Sequence, residues 1–274
     1  MMGKNRLKGF VASLLVWAAF LLIALFVLGP ILWGLRTSLA HDNVRAIIPT
    51  ALTLEHYAGL FTRPEVVRYI RNSLIVSAGT ISVVLPIAVL AAYGLARFEF
   101  RGKEYGVLLL VMPMIPAIAL LVPLISYMNW LGLYNSLFAV IVAISVFNLP
   151  FSTWMLKDFI MTNPVSIEEC ALLDGCSRFQ MLTRVALPMM APGLGAVIVF
   201  IFVMSWNNYM HAFALTSSPA YRVLPQGILS FLGAWGTQWG GLTAAGTIAL
   251  IPPMLFFFLF RRWFVAGLFG HQLK

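Results

Sequence analysis

Long uncharged apolar runs, separated by short polar clusters, set the pattern of this chain. They occur at 10–35, 73–96, 106–128, 136–156, 193–215 and 243–260. Each is near or above the roughly 20 residues that an α-helix needs to cross a bilayer core. The pattern therefore predicts an all-α integral membrane protein with six transmembrane helices. Prolines interrupt helical hydrogen bonding in the third run (Pro113, Pro116, Pro123) and the sixth (Pro252, Pro253), and Pro86 and Pro150 lie in the second and fourth. Prolines at membrane depth are tolerated where the freed carbonyls are buried in protein or face a wet cavity. Bent helices lining a solute path and ordinary kinks both fit them.

One polar segment, between the fourth and fifth runs, is more ordered than a connecting loop requires. Ser166 with Glu169 three positions on has the form of a capping box, and Asp174-Gly175 supplies a left-handed residue to end that helix. Ser177 with Gln180 repeats the cap, and Pro188 should push Leu187 out of helical geometry, leaving a second helix of about ten residues between them. The segment thus reads as helix, glycine turn, helix. Phe179, Leu182 and Val185 recur at helical spacing, as a face for a partner's groove or for the protein's own helix ends.

Composition agrees with the membrane assignment: 61% of residues are hydrophobic and 10% charged, with a mean hydropathy of +0.92. Lys4, Arg6 and Lys8 precede a run too long for a signal peptide, so they flank an uncleaved first span. With a cytoplasmic N-terminus, twelve of the 18 Lys and Arg residues fall on inner segments and six on outer ones, five of those in the long first loop. The positive-inside rule then puts both termini and the helix-turn-helix segment in the cytoplasm. The net charge of +9 is scattered over membrane-separated loops, so no basic face for nucleic acid forms.

The missing chemistry is as informative. All nine acidic residues lie outside the apolar runs, which disfavours a proton- or sodium-coupled carrier; His211 is the one ionisable group inside a run. No phosphate-binding loop exists, since Gly102-Lys103-Glu104 lacks the earlier glycine and the hydroxyl that holds magnesium. Cys170 and Cys176, with the scattered His41, His56, His211 and His271, form no disulfide or metal pattern. No catalytic set emerges, so the chain reads as a non-catalytic membrane subunit driven by another polypeptide; an ion-coupled carrier and a membrane assembly protein are the alternatives. Trp206, Asn207, Asn208, Tyr209 and His211 form the most polar cluster near membrane depth. Aromatic faces with amide and imidazole groups suit a sugar, although Trp and Tyr also mark the interface belt.

Glu169, Ala171, Gly175, Leu187 and Pro188, with Cys170 and Val185 at two variant positions, resemble the cytoplasmic signature loop of bacterial ATP-binding-cassette (ABC) importer permeases. The likeness spans nearly the whole chain. Leu52-Thr53-Leu54-Glu55-His56-Tyr57, Arg71-Asn72-Ser73-Leu74, Trp206-Asn207-Asn208-Tyr209, Leu224-Pro225-Gln226-Gly227 and Arg262-Trp263-Phe264-Val265-Ala266-Gly267-Leu268 are similar to carbohydrate-uptake permeases of the maltose type, in particular the smaller six-span subunit. Asn208 stands where an acidic residue is common, and the ending Gly270-His271-Gln272-Leu273-Lys274 also departs from the family, which leaves the sugar open.

The resemblance implies a type I importer fold: a first span and outer loop over 1–68, a permease core over 69–262 with a coupling loop at 161–192, and a cytoplasmic tail over 263–274. It implies a second homologous permease, two ATPase subunits that hold ATP and magnesium, an extracytoplasmic solute-binding protein reaching the outer loop near 216–242, and a tail touching an ATPase. No cofactor is expected on this chain itself. Glu169, Ala171, Asp174, Gly175, Phe179, Leu182, Val185, Leu187 and Pro188 would then carry ATPase coupling. A sugar or sugar derivative, neutral or anionic, is the expected cargo, crossing the bacterial inner membrane.

Overall fold

The structure, a computed structural model, describes residues 2–41, 51–233 and 236–269. Asp42 and Arg45 of the first loop, Trp235 of the last and the tail from Gly270 to Lys274 lie outside the described residues. Among the described residues the regular structure is helical except for a bridge between Ala40 and Leu52 and a two-stranded hairpin, Leu232–Gly233 (β1) against Gly236–Thr237 (β2). Among the described residues, four helices are long and apolar enough to cross a membrane, or up to six spans if each of two bent pairs counts as one.

Two compact units result. The first, residues 1–63 and 228–249, contains α1 (Met2–Ser38), α2 (Glu55–Phe61), the hairpin and the start of the last helix. Here the Ser38 and Tyr57 hydroxyls lie 2.6 Å apart, and a ring nitrogen of His56 is 3.1 Å from the Ala40 carbonyl. The large apolar side chains of α1, Leu22, Leu25 and Phe26 among them, are exposed, as a lipid-facing helix requires.

The second unit, residues 64–227 and 250–274, is built on α3 (Pro64–Arg97), α5 (Leu137–Thr162) and α9 (Ala191–Trp206). Its packing reverses that of a soluble bundle. Ser73, Ser77, Thr80, Ala88 and Ala92 of α3 face inward at helical spacing, while Leu74, Ile75, Ile87 and Leu90 face outward. Small side chains let helix backbones approach closely, the usual basis of helix association in lipid. A Cβ on Gly79 would lie 2.6 Å from Ile141 of α5, and one on Gly195 of α9 2.6 Å from Trp263.

The first and second apolar runs lie within α1 and α3, and the fourth within α5 and its N-cap Ser136; each helix is longer than its run. The third is not one continuous helix. Residues Lys103–Leu110 and Met112–Met114 are 3-10 turns, followed after a 97° bend by α4 (Ala117–Trp130). Pro113 and Pro116 remove amide donors at the bend, and Pro116 holds Ile115 extended, with ψ 123°. The fifth run likewise breaks at 207–209 into α9 and α10 (Met210–Leu215). In contrast, α12 (Trp239–Phe269) continues through Pro252 and Pro253, which do not interrupt it.

Two of the quoted motifs meet. Asn72 of α3 donates to the Ala220 and Arg222 carbonyls at 2.9 and 2.8 Å, and the Ser73 hydroxyl accepts from the Leu224 amide at 2.9 Å. Asn135, in left-handed geometry at φ 59°, accepts from the Ser217 and Ser218 amides. These bonds seat the loop leading into α11 (Leu224–Ile228) on the start of α3 and the turn before α5.

Candidate functional site

The helix-turn-helix segment is present, with two local corrections. Its first arm is α6 (Val165–Leu173), with Pro164 at the N-cap position and no side-chain cap; Ser166 makes none, because the helix begins before it. Pro164 leaves Asn163 extended, so α5 ends at Thr162 and the new helix restarts at once. That register turns Glu168 inward and leaves Glu169 exposed.

The arm ends in a Schellman turn. The Cys176 amide donates to the Ala171 carbonyl and the Gly175 amide to Leu172, both at 3.1 Å, after Asp174 as C-cap. Gly175 has φ +87°, a conformation that L side chains rarely adopt.

The second arm opens as the sequence indicates, with a complete capping box. The Ser177 hydroxyl accepts from the Gln180 amide, and the Gln180 side chain accepts from the Ser177 amide. After α7 (Arg178–Met181) the chain forms a π turn over Leu182–Ala186 and continues through α8 (Leu187–Met189). Leu187 is helical, at φ −60° and ψ −46°, so Pro188 does not expel it. Proline in a helix clashes with the carbonyl four residues back, and the wider turn lies where that crowding would arise. A 78° bend then separates this arm from α9.

The predicted coupling residues divide by burial. Ala171 and Leu182 are buried, and Val185 and Leu187 pack beside them, in a core made with Val84, Val89, Leu156 and Ile160. Phe179 is 73% exposed, and Leu173, which was not among the predicted residues, is 87% exposed. Phe179 precedes the π turn while Leu182 and Val185 lie within it, and the three do not share one face.

A clamp that the sequence did not suggest fixes the first arm. Arg97, at the end of α3, donates through Nε and Nη2 to Oε1 of Glu168 at 3.0 and 2.8 Å. Its Nη2 also reaches the Asn163 carbonyl at 3.0 Å. Tyr93, one turn earlier, donates to the other carboxylate oxygen at 2.6 Å, and the Met181 sulfur lies 3.2 Å from the same hydroxyl. Both charged side chains are under 10% exposed. Arg178 of the second arm stacks on Phe98, which meets Tyr93 edge-on. The available signal was Tyr93 and Arg97 at i, i+4 beside a span end, opposite a pair of glutamates.

The polar cluster of the fifth run occupies the break between α9 and α10. Asn208 accepts from the His211 amide and lies 3.1 Å from its Nδ1, and Asn207 donates to Val203. A cavity of about 530 Å³ is lined by Asn207, Asn208, Tyr209, His211, Met204 and Ala117, among others. Trp206 does not line it: its ring is buried and stacked on Phe202.

The profile of the binding-protein-dependent transport system inner membrane component family matches residues 84–270, which include the whole elbow. The chain belongs to this family. Such inner membrane components are the non-catalytic permease subunits of ABC importers. The chain is 31% identical over 261 residues to a trehalose/maltose transport system permease of Thermococcus litoralis, covering 93% of this chain and 94% of the relative. It is 34% identical over 251 residues to a sulfoquinovosyl glycerol transport system permease of Agrobacterium fabrum, covering 89% and 88%. Its fold matches a chain of a bacterial ABC transporter involved in import of the acidic polysaccharide alginate, with a TM-score of 0.79, 18% identity, and 96% and 98% of the two chains covered.

Proposed function

We propose that this chain is the permease subunit of an ABC importer that carries a sugar or sugar derivative, neutral or anionic, across the bacterial inner membrane. It pairs with a second homologous permease, receives solute from an extracytoplasmic binding protein, and is driven by two ATPase subunits holding ATP and magnesium. The carbohydrate transport named for its relatives supports the cargo class. The basic-residue asymmetry supports cytoplasmic termini.

The observation that carries the coupling role is the elbow's construction. Two capped arms expose Leu173 and Phe179, while the Glu168 carboxylate ties the first arm to Arg97 and Tyr93 on α3. An ATPase groove closing on the exposed apolar residues therefore pulls on the end of a long helix through charge-assisted bonds. Glu169 and Asp174, both exposed, are placed to meet basic groups on the same partner. The cavity at the α9–α10 break lies on the solute path, where Asn207, Asn208, Tyr209 and His211 supply amide, hydroxyl and imidazole groups for sugar hydroxyls.

The test is purification in mild detergent with the neighbouring subunits coexpressed, followed by reconstitution into vesicles. The expected result is a stoichiometric ATPase pair whose hydrolysis rises with the sugar-loaded binding protein and drives sugar uptake. Purification without any ATPase, or uptake that follows an ion gradient instead of ATP, overturns the proposal.

A further inference from the structure

The unit formed by residues 1–63 and 228–249 holds a pocket of about 340 Å³, within the usual size range of small-molecule sites of about 300–1,000 Å³. None of its lining belongs to the elbow or to the α9–α10 cavity. Its walls come from α2 and from the segment entering α12. Trp239, the first residue of α12, is 53% exposed and presents an unburied aromatic surface. Phe231, largely buried, lines the pocket too, and the Arg63 guanidinium lies over its ring at 5.3 Å.

Two glycines make the close packing of these rings possible. A side chain on Gly240 would strike the His56 imidazole, and a Cβ on Gly241 would lie 2.9 Å from Phe231. The polar groups are of both kinds. Arg63 offers only donors, Glu55 only acceptors, and Gln238 one of each type. One Glu55 oxygen lies 3.3 Å from His41, while its carboxylate has capacity for further hydrogen bonds.

Such a mixture of donors and acceptors does not suit an anion, which wants donors alone, or a purely apolar solute. It suits vicinal hydroxyls, each of which both donates and accepts, on a ring whose C–H face can lie against Trp239. We propose that this pocket is a saccharide subsite taking one neutral sugar ring, separate from the cavity at the α9–α10 break. The inference rests on the reading that the cargo is a sugar, and adds a second place on this chain where that cargo binds.

Saturation-transfer NMR on the full chain in lipid nanodiscs tests it, with maltose, trehalose and glucuronate as probes. The expected result is transfer to a ring of maltose or trehalose and less to glucuronate. Trp239→Ala and Gln238→Ala should each weaken binding about tenfold. Trp239→Phe should retain most of it, and Trp130→Ala, at the exposed end of α4, should leave it unchanged. Labelling with 5-fluorotryptophan locates the event, since the fluorine resonance lost in Trp239→Phe must be the one that shifts with sugar. No binding of either neutral sugar, equal binding by Trp239→Ala, or preference for glucuronate overturns the subsite. Sugar uptake by the reconstituted importer is measured separately: uptake without binding here removes only the subsite, while absence of any sugar uptake removes the cargo reading on which it rests.

Discussion

Arg97 and Glu168, 71 residues apart in sequence, meet at 2.8 Å where α3 ends and the first arm of the elbow begins. Removing one partner from such a buried pair leaves an uncompensated charge, which typically costs about 3–5 kcal/mol. Arg97→Ala or Glu168→Ala should therefore lower the thermal midpoint of the purified chain and uncouple ATP hydrolysis from uptake. Replacing both, as Arg97→Met with Glu168→Leu, should restore much of the stability. A thermal shift series together with a transport assay checks this, and a double variant no more stable than the singles would exclude the clamp.

Gly175 permits a cleaner test, because no atom lies within 4 Å of where its Cβ would be. The penalty of a substitution is conformational, of order 1–3 kcal/mol for a non-glycine residue held at positive φ. Gly175→Asn should be tolerated better than Gly175→Val, since asparagine visits that region more readily. Gly175→Asp should insert into the membrane normally and lose uptake; membrane fractionation and an uptake assay read the two effects apart.

Phe179 and Leu173 are exposed and support little of the chain's own packing. Phe179→Ser and Leu173→Ser should change its stability by no more than about 0.5 kcal/mol, as surface substitutions do. They should nonetheless reduce the amount of ATPase that copurifies. Densitometry of the purified complex measures this directly.

Gly193 and Gly195 allow α9 to approach Phe159 and Trp263. Gly193→Val or Gly195→Val should cost about 1–3 kcal/mol from overpacking. Phe159→Ala combined with Gly193→Val should recover part of that loss, a non-additivity that a double-mutant cycle of thermal midpoints would reveal.

Asn72 holds two backbone carbonyls of the 220–222 segment. Asn72→Ala should raise amide exchange from Ala220 to Leu224, at a cost of about 1–3 kcal/mol if the carbonyls stay buried and unpaired. Hydrogen-exchange mass spectrometry on that peptide is the measurement.

Local grammar was readable where local forces decide. The Ser177–Gln180 box and the Gly175 turn depend on neighbours in sequence, and both are found. Ser166 was misread because Pro164 ends one helix and starts the next at Val165, ahead of the serine. Leu187 was misread because the π turn allows the helix to carry a proline. The apolar runs located the helices, yet nothing in their hydropathy separates a straight span from the 97° bend before Ala117. Tyr93, Arg97 and Glu168 stayed hidden because the clamp joins segments distant in sequence, and Trp206 was placed by its polar neighbours although its ring stacks on Phe202.

The clamp also has an electrical consequence. Glu168 is the buried acid among the described residues, and it is matched by a guanidinium on the helix it holds. Seen from a distance the pair is neutral, so any displacement that keeps its two members together carries no net charge through a field. A membrane potential acts on an unmatched charge with about 2.3 kcal/mol per 100 mV. It has almost no leverage on this pair.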